Sequence, residues 1–317
     1  MSQSAIPVGD DGLILASRAR ALGREADLRR LRRSESLVGV RRGVYLDPHD
    51  ALGRTALQQY RQLAFAVGHQ RKSPVFAAIT AAVLHGLPVI GGPPAEVFVL
   101  AGGSSGRRRN GVVEIPRRGT ETIVRLDGRS VTSVAECVIE VARRVPLVTA
   151  LVLADAALSV PRFGASAPRC GIDDLHAAYS ARLPFRCSRR VLALLQRATT
   201  QSDSPLESMS RLRIEEFGFP APVLQFPVPS PSGTRVRYLD FAWPEHGVWG
   251  EADGRGKYGA ARVDGSNAAA EVILREKRRE DEIRMATGWR CVRWDWRDAW
   301  TGDPLREALV RAGLPRT

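Results

Sequence analysis

Two short strand-like runs joined by a tight turn constrain the C-terminal part of the chain more than any other feature. Arg237–Trp243 and Val248–Asp253 flank Pro244–Gly247, a four-residue segment typical of a hairpin turn. Pairing the runs about that turn sets Trp243 opposite Val248. Because a slip of one residue would move every side chain to the other face of the sheet, this register governs the position of each polar residue in the hairpin.

The predicted register brings acidic side chains together. Asp240 lies opposite Glu251, and Asp253 projects from the same side because side chains alternate along a strand. Like charges that face each other in a ladder are destabilising. A divalent cation removes that repulsion by taking carboxylate oxygens as ligands. The pattern therefore predicts a Mg²⁺ (or Mn²⁺) site formed by Asp240, Glu251 and Asp253, and a solvent-screened acidic face is the alternative.

A further acidic residue opens a helix upstream of the hairpin. Ser204 and Pro205 have the chemistry of N-cap and N1 residues, and Glu207 occupies N3. This local pattern by itself makes Glu207 a capping residue.

The segment that follows the hairpin is basic. Glycines in Gly254–Lys257 allow close backbone approach, and Lys257 stands where a phosphate or an attacking water could be held. A helix is predicted from about Ala268 to Thr287. Its basic residues suit either a solvated face with ion pairs or contacts with backbone phosphates. The predicted contacts with DNA on this helix are Arg275, Lys277, Arg278 and Arg279.

The N-terminal segment also concentrates positive charge. Leu13–Leu22 is predicted as a helix ending at Gly23, Glu25–Arg33 as a second helix, and Leu37–Leu46 as two short strands around a basic turn. Helix, helix and hairpin is the order of a winged helix-turn-helix, which binds DNA through its second helix and its wing. A solvated basic helix face is the alternative. The predicted DNA contacts are Arg29, Arg30, Arg32, Arg33, Arg41 and Arg42.

The chain as a whole has a net charge of +13, which implies an anionic partner, most commonly nucleic acid. The alternative explanation of this charge is a general bias toward arginine in the composition of the chain. The N-terminus lacks the pattern of a signal peptide, no apolar run reaches membrane-spanning length, and the four cysteines have no zinc-site spacing. We therefore expect a cytoplasmic protein with no membrane partner.

A glycine-rich basic loop in the middle of the chain could suggest a phosphate-binding loop. Such a loop needs a helix after it, whereas Gly102–Arg109 is followed by the strand-like Val112–Pro116. With the strand Glu96–Leu100 before it, the segment is predicted to be a hairpin loop.

From Ser204 to about Trp296 the chain resembles the Vsr-like (very-short-patch-repair type) endonuclease domains of the PD-(D/E)XK superfamily. The runs that carry the resemblance are SPLES (204–208), LDFAWPEH (239–246), EADGRGKY (251–258), REKRREDEIR (275–284) and GWRCVRWDW (288–296). The resemblance implies a mixed sheet flanked by helices and Mg²⁺-dependent phosphodiester cleavage. It also implies that Asp240 is the central metal ligand, Glu251 the next acidic ligand and Glu207 the helical glutamate of the first motif.

One position departs from the superfamily pattern. The residue two after the second acid is usually lysine, and here it is Asp253. Either Asp253 is an extra ligand and Lys257 supplies the missing charge, or catalysis is impaired.

The N-terminal half resembles AbiEi-type abortive-infection antitoxins. ARALG (19–23), LRRLRR (28–33) and VRRGVYL (40–46) are similar to the winged helix of that family, and ITAAVLHGLP (79–88) and VTSVAECVIEVA (131–142) to its following domain. This resemblance implies DNA binding, transcriptional autoregulation and a cognate toxin as partner.

Together these features predict an α/β (α+β) protein. The length of 317 residues also favours more than one domain. The predicted parts are a winged helix (1–54), an AbiEi-like middle domain (55–160), a helical connector (161–202) and a nuclease domain (203–317). The chain is predicted to bind DNA and to contain a Mg²⁺-dependent endonuclease domain. The alternative is a non-catalytic regulator of a type IV toxin–antitoxin system with a degenerate nuclease fold. The sequence leaves open RNA as a substrate and the oligomeric state.

Overall fold

The structure is a computed structural model that describes residues 6–160, 167–229, 236–253 and 268–316, with the backbone alone for 268–276. The chain forms two compact units. The first unit comprises Met1–Leu153 and Cys170–Gln196, and the second comprises Ala154–Arg169 and Arg197–Thr317. Helices and strands occur in both units, so the predicted α/β class is confirmed.

Up to Gln196 the elements are β1 (Ile14–Leu15), α1 (Ala16–Ala21), α2 (Glu25–Arg33), β2 (Val38–Arg41), β3 (Val44–Leu46), α3 (Pro48–Ala51), α4 (Ala56–Gln70), β4 (Val75–Phe76), α5 (Ala78–Leu84), β5 (Val97–Leu100), β6 (Arg107–Arg109), β7 (Val112–Ile115), β8 (Ile123–Leu126), β9 (Arg129–Thr132), α6 (Val134–Ala142), α7 (Leu147–Leu158), α8 (Ile172–Arg182) and α9 (Ser188–Leu195). After Gln196 they are α10 (Pro205–Glu216), β10 (Val223–Pro229), β11 (Val236–Trp243), β12 (Val248–Ala252), α11 (Ala268–Thr287), β13 (Arg290–Trp294), α12 (Trp296–Thr301) and α13 (Asp303–Arg311). Among these described helices, none is both long and apolar enough to cross a membrane.

The N-terminal segment has the predicted order of two helices and a hairpin, with one correction. The first helix begins at Ala16, because Ile14 and Leu15 form a strand that pairs with Tyr45 and Val44 of β3. The resulting sheet has the order β1-β3-β2. The predicted helix at the start of this segment was therefore too long at its N-terminal end.

The first unit also contains a six-stranded sheet of order β6-β7-β5-β4-β9-β8. The predicted hairpin between β5 and β7 is wrong, since these strands pair in parallel. The hairpin lies instead between β6 and β7, which pair antiparallel. Its turn contains Asn110 (φ 51°) and Gly111 (φ 69°), two residues that readily adopt the left-handed conformation of a tight hairpin turn.

The segment predicted as a helical connector contributes α8 and α9 to the first unit. Arg182 at the end of α8 is buried and donates hydrogen bonds to Glu136 Oε2, at 2.9 Å from Nε and 2.6 Å from Nη2. Arg182 also pairs with Glu140, one turn further along α6. Two carboxylates thus neutralise the buried guanidinium and hold α8 against α6.

The second unit is built on a four-stranded sheet of order β10-β11-β12-β13. The first two pairings are antiparallel and the third is parallel, so the sheet is mixed. The predicted register is confirmed, with Trp243 opposite Val248. The turn between these strands is a 3₁₀ helix, Pro244–His246, followed by Gly247 at φ 59°. Helix α11 has the predicted bounds and closes at Gly288, whose φ is 69°.

Aromatic side chains form the core around this sheet. Phe241 and Trp249 are fully buried, and the rings of Phe241 and Trp294 lie 5.2 Å apart. Trp294 Nε1 donates a hydrogen bond to Ser210 Oγ of α10 at 2.7 Å. The tryptophan ring occupies the space beside Gly250, where an added Cβ would lie 2.7 Å from Trp294 Cζ3.

We predict that Gly250→Ala lowers the free energy of unfolding of the second unit by about 1–3 kcal/mol, because the added methyl group overpacks the core. All six tryptophans lie after residue 242, so tryptophan fluorescence during urea unfolding reports on this unit. In a Trp294→Phe background the same substitution should cost much less, because the smaller ring leaves room for the methyl group. An equal cost in both backgrounds would show that the ring is not what excludes a Cβ.

Candidate functional site

Three predicted acidic residues come together in the second unit. Glu207 lies on α10, Asp240 on β11 and Glu251 on β12. The backbone N–H of Ala252 donates to Asp240 Oδ2 at 3.0 Å, which holds the Asp240 carboxylate against β12. Burial and then the negative charge of Asp240 raise the pKa of Glu207 to about 7, and the same two causes raise the pKa of Glu251 to about 7. We call Glu207, Asp240 and Glu251 the carboxylate cluster.

Glu207 has the capping role that the local pattern predicted, and it also belongs to the cluster. Ser204 Oγ accepts a hydrogen bond from the Glu207 backbone N–H at 3.2 Å and donates to Glu207 Oε1 at 2.7 Å. The other oxygen, Oε2, accepts from the Asp203 backbone N–H and from Gln225 Nε2, both at 2.9 Å. The side chain is 8% exposed. Capping therefore fixes one oxygen, while the other faces partners outside α10.

Glu251 is buried and held by an arginine. Arg279 of α11 donates from Nη1 to Glu251 Oε2 at 3.0 Å and from Nη2 to Oε1 at 2.9 Å. Arg279 Nη2 also donates to the Tyr238 carbonyl of β11 at 2.9 Å. A bidentate guanidinium–carboxylate pair is a strong, charge-assisted contact with a fixed geometry. The structure thus places Arg279, predicted as a DNA contact, inside the site.

Asp253 follows β12 and pairs with an arginine that was not among the sequence candidates. Arg293 Nη1 lies 2.8 Å from Asp253 Oδ2, and its Nη2 lies 3.2 Å from Glu280 Oε2. In the parallel ladder of β12 and β13, Arg293 is the partner of Glu251. Burial lowers the pKa of Arg293, but the charge and the hydrogen bond of Asp253 raise it more. Asp253, which stands where the PD-(D/E)XK pattern usually has lysine, is therefore one half of an ion pair.

The other predicted residues of the C-terminal part differ in their settings. Lys257 lies outside the described residues, and Arg275 lies where the backbone alone of α11 is described. Lys277 and Arg278 are exposed on α11. These two side chains remain accessible to a ligand, whereas Arg279 is engaged with Glu251.

The predicted DNA contacts on α2 lie on its exposed surface. Arg29 Nη1 lies 4.0 Å from Glu25 Oε2, and Arg30 Nη2 lies 3.0 Å from Asp27 Oδ1. The Arg32 guanidinium lies 5.5 Å from the centroid of the Tyr45 ring. Exposed ion pairs of this kind contribute little to stability. The helix face, which also contains the exposed Arg33, can therefore meet an anionic partner.

The two arginines of the β2–β3 hairpin differ from each other. Arg41 donates to Gln70 Oε1 at 3.0 Å and to the Asn110 carbonyl at 2.8 Å, so its guanidinium is used within the first unit. Arg42 is exposed at the tip of the hairpin. Arg42 is thus the better placed of the two for contact with phosphate.

The carboxylate cluster fits a hard divalent cation by its chemistry. Carboxylate oxygens are the kind of ligand that Mg²⁺ prefers. Burial is the first cause of the raised pKa of Glu207 and Glu251, and a cation would relieve the second, the repulsion from Asp240. Within the described ranges, however, no group of three or more His, Cys, Asp or Glu side chains is spaced to hold a metal ion, and this includes the carboxylate cluster. Glu251 retains unused lone pairs beside Arg279, because a carboxylate has about four acceptor positions.

Comparison with known proteins places the chain in the family of two proteins of Mycobacterium tuberculosis. No family model matches the chain. Over 210 residues it is 31% identical to "Uncharacterized protein Rv2248" of Mycobacterium tuberculosis strain ATCC 25618 / H37Rv and to "Uncharacterized protein MT2308" of strain CDC 1551 / Oshkosh. The alignment covers 66% of this chain and 70% of each relative. This mixed α/β protein belongs to the family of these two Mycobacterium tuberculosis proteins.

One solved structure was also found to be similar. The crystal structure of the RV2827C protein from Mycobacterium tuberculosis matches 62% of this chain and 74% of that chain, with a TM-score of 0.36 and 16% sequence identity. A similarity this low supports no inference about fold or function.

The raised pKa values predict a pH-dependent stability of the second unit. Folded Glu207 and Glu251 bind protons more tightly than the unfolded chain, whose carboxyl groups have the ordinary pKa of 4.5. Their stabilising contribution is complete below that value and is lost as the pH rises through about 7. In metal-free buffer, urea unfolding followed by tryptophan fluorescence should show a falling free energy of unfolding over this range. Glu207→Gln should remove about half of the fall, since it removes one of two similar groups.

Glu245→Gln serves as the control for this measurement. Glu245 is an exposed residue of the turn before β12, and its substitution should leave the pH dependence as it is. A pH dependence in Glu207→Gln equal to that of the unchanged protein would mean that Glu207 does not titrate near neutrality.

Proposed function

We propose that the second unit is a Mg²⁺-dependent endonuclease domain and that the first unit binds DNA. One observation carries this proposal: Glu207 of α10 and Glu251 of β12 are both buried, and burial followed by the negative charge of Asp240 on β11 raises the pKa of each to about 7. Titratable groups perturbed by burial and by one another are enriched at functional sites. The resemblance to Vsr-like endonucleases supports the same assignment through the same residues.

In this proposal Glu207, Asp240 and Glu251 hold the cation. Bound there, Mg²⁺ (or Mn²⁺) would supply an activated water and would neutralise charge on the scissile phosphate. Glu207 and Glu251 would have to be ionised to hold it, so binding would strengthen as the pH rises. The Ala252 N–H keeps Asp240 in place, and Arg279 fixes the orientation of Glu251.

Asp253 is given a different role from the other acidic residues. Its ion pair with Arg293 commits one oxygen, so we propose that it positions Arg293 beside Glu251. In the PD-(D/E)XK pattern a lysine at the position of Asp253 supplies a positive charge. In this chain Lys257 is the candidate for that charge.

The DNA-binding part of the proposal rests on the distribution of charge. The chain has a net charge of +13, and Arg29, Arg30, Arg33 and Arg42 are exposed on α2 and the wing. Phosphate contacts from such residues fix the register of a winged helix on duplex DNA. We propose a cytoplasmic location on the same basis, because DNA is the partner.

A second candidate is favoured by one contact. Arg279 holds both oxygens of Glu251 and so neutralises a cluster member without a cation. A degenerate site stabilised in this way would belong to a non-catalytic, antitoxin-like transcriptional regulator with a cognate toxin as partner. The cleavage experiment below distinguishes the two candidates.

We predict that the purified protein nicks plasmid DNA in the presence of Mg²⁺ or Mn²⁺. Asp240→Asn should reduce the nicking rate by more than the ~10–100-fold cost of altering a residue behind a metal ligand. DNA binding, measured by fluorescence anisotropy without metal, should be unchanged in this variant. Asp303→Asn, which changes an exposed aspartate at the start of α13, is the control and should cleave normally.

Two outcomes would contradict the endonuclease proposal. Nicking that persists in Asp240→Asn would come from another protein or another site. Tight DNA binding without cleavage under either metal would favour the regulator. Parallel reactions with RNA of the same sequence determine which nucleic acid is the substrate.

We predict that Arg33→Ala weakens DNA binding and lowers the slope of log K against log salt concentration by about 1, as loss of one phosphate contact requires. Arg311→Ala removes another exposed arginine, on α13, and should leave the slope unchanged. If the two variants have the same slope, α2 does not contact the DNA backbone through Arg33.

A further inference from the structure

A glutamine adopts an unusual backbone conformation beside the carboxylate cluster. Gln225 has φ 52°, in the left-handed region that costs free energy for a residue other than glycine. It lies inside β10 and not at a turn. Leu224 pairs with Phe241 of β11, and Phe226 pairs with Leu239. The residue between each pair, Gln225 on β10 and Asp240 on β11, therefore lies across from the other.

The side chain of Gln225 is directed to the cluster. It is 9% exposed, and Nε2 donates to Glu207 Oε2 at 2.9 Å in a buried hydrogen bond. This is the oxygen that also accepts from the Asp203 N–H. Oε1 of the same carboxylate is fixed by Ser204. Gln225 therefore completes the set of donors that fix both oxygens of Glu207.

The residue type fits this position for two reasons. Glycine would adopt the observed φ without strain, so the backbone alone gives no reason for a glutamine. Lysine or arginine would also reach a carboxylate, but a positive charge would neutralise Glu207 and compete with a cation. An amide orients the carboxylate and leaves its charge available.

We infer that Gln225 is a positioning residue of the carboxylate cluster, which orients Glu207 for a divalent cation shared with Asp240. This inference rests on the proposed function of the second unit. It adds a neutral residue from β10 to a site whose acidic members come from α10, β11 and β12.

The test compares Mn²⁺ binding by calorimetry in the full chain and in Gln225→Gly and Gln225→Asn. Glycine relieves the left-handed backbone, and asparagine tolerates it but is shorter by one methylene group. Both variants should bind Mn²⁺ about 10–100-fold more weakly, as expected for loss of a residue that supports a metal ligand. Both should retain the native tryptophan fluorescence, and Gln225→Gly should unfold at the same or a higher urea concentration. Gln201→Asn, a change at an exposed glutamine before α10, should bind Mn²⁺ normally.

A second measurement uses the metal-free protein. Gln225→Gly and Glu207→Ala each change the free energy of unfolding. If Gln225 orients Glu207, the change in the double variant differs from the sum of the two single changes. Additive effects would overturn the inference whatever the result with metal.

The two possible failures are distinguishable. Equal Mn²⁺ affinity in the unchanged protein and both Gln225 variants would overturn the role of Gln225 and leave the metal site standing. Absence of Mn²⁺ binding in the unchanged protein would overturn the proposed function, and this inference with it.

Discussion

The register between β11 and β12 determines where the acidic side chains of the second unit lie. Gly247 at φ 59° allows the short turn that sets Trp243 opposite Val248. A slip of one residue would take Asp240 away from the Ala252 N–H and would turn the buried Trp249 toward the other face of the sheet. Aromatic packing and the carboxylate cluster therefore depend on the same alignment. The hydrophobic core holds together groups that would otherwise repel one another.

The cluster is neutralised unevenly. Glu251 has a bidentate guanidinium from Arg279, whereas the partners described for Glu207 are neutral donors from Asp203, Ser204 and Gln225. Burial nevertheless raises the pKa of both glutamates to about 7, with Asp240 as the next cause. A cation bound beside Glu207 would therefore disturb the Arg279 contact least.

Local chemistry made part of this structure predictable from sequence. The turn residues gave the register of β11 and β12, Ser204 and Pro205 gave the start of α10, and Gly288 gave the end of α11. Contacts that depend on distant segments were not predictable in this way. Arg293 meets Glu251 only because β13 joins the sheet in parallel, after a long crossover that contains α11. Strand β1 and the parallel pairing of β5 with β7 required partners that no local pattern identifies.

The ion pair of Asp253 and Arg293 changes the charge balance of the proposed site. A lysine at position 253, which the PD-(D/E)XK resemblance implies, would add one positive charge near the scissile phosphate. An aspartate paired with Arg293 adds none, because the two charges cancel. The cluster thereby keeps more of its negative charge, which favours a divalent cation, but it offers less direct stabilisation to a phosphate. Catalysis by this chain would therefore depend more on the cation, and on residues such as Lys257, than the superfamily pattern requires.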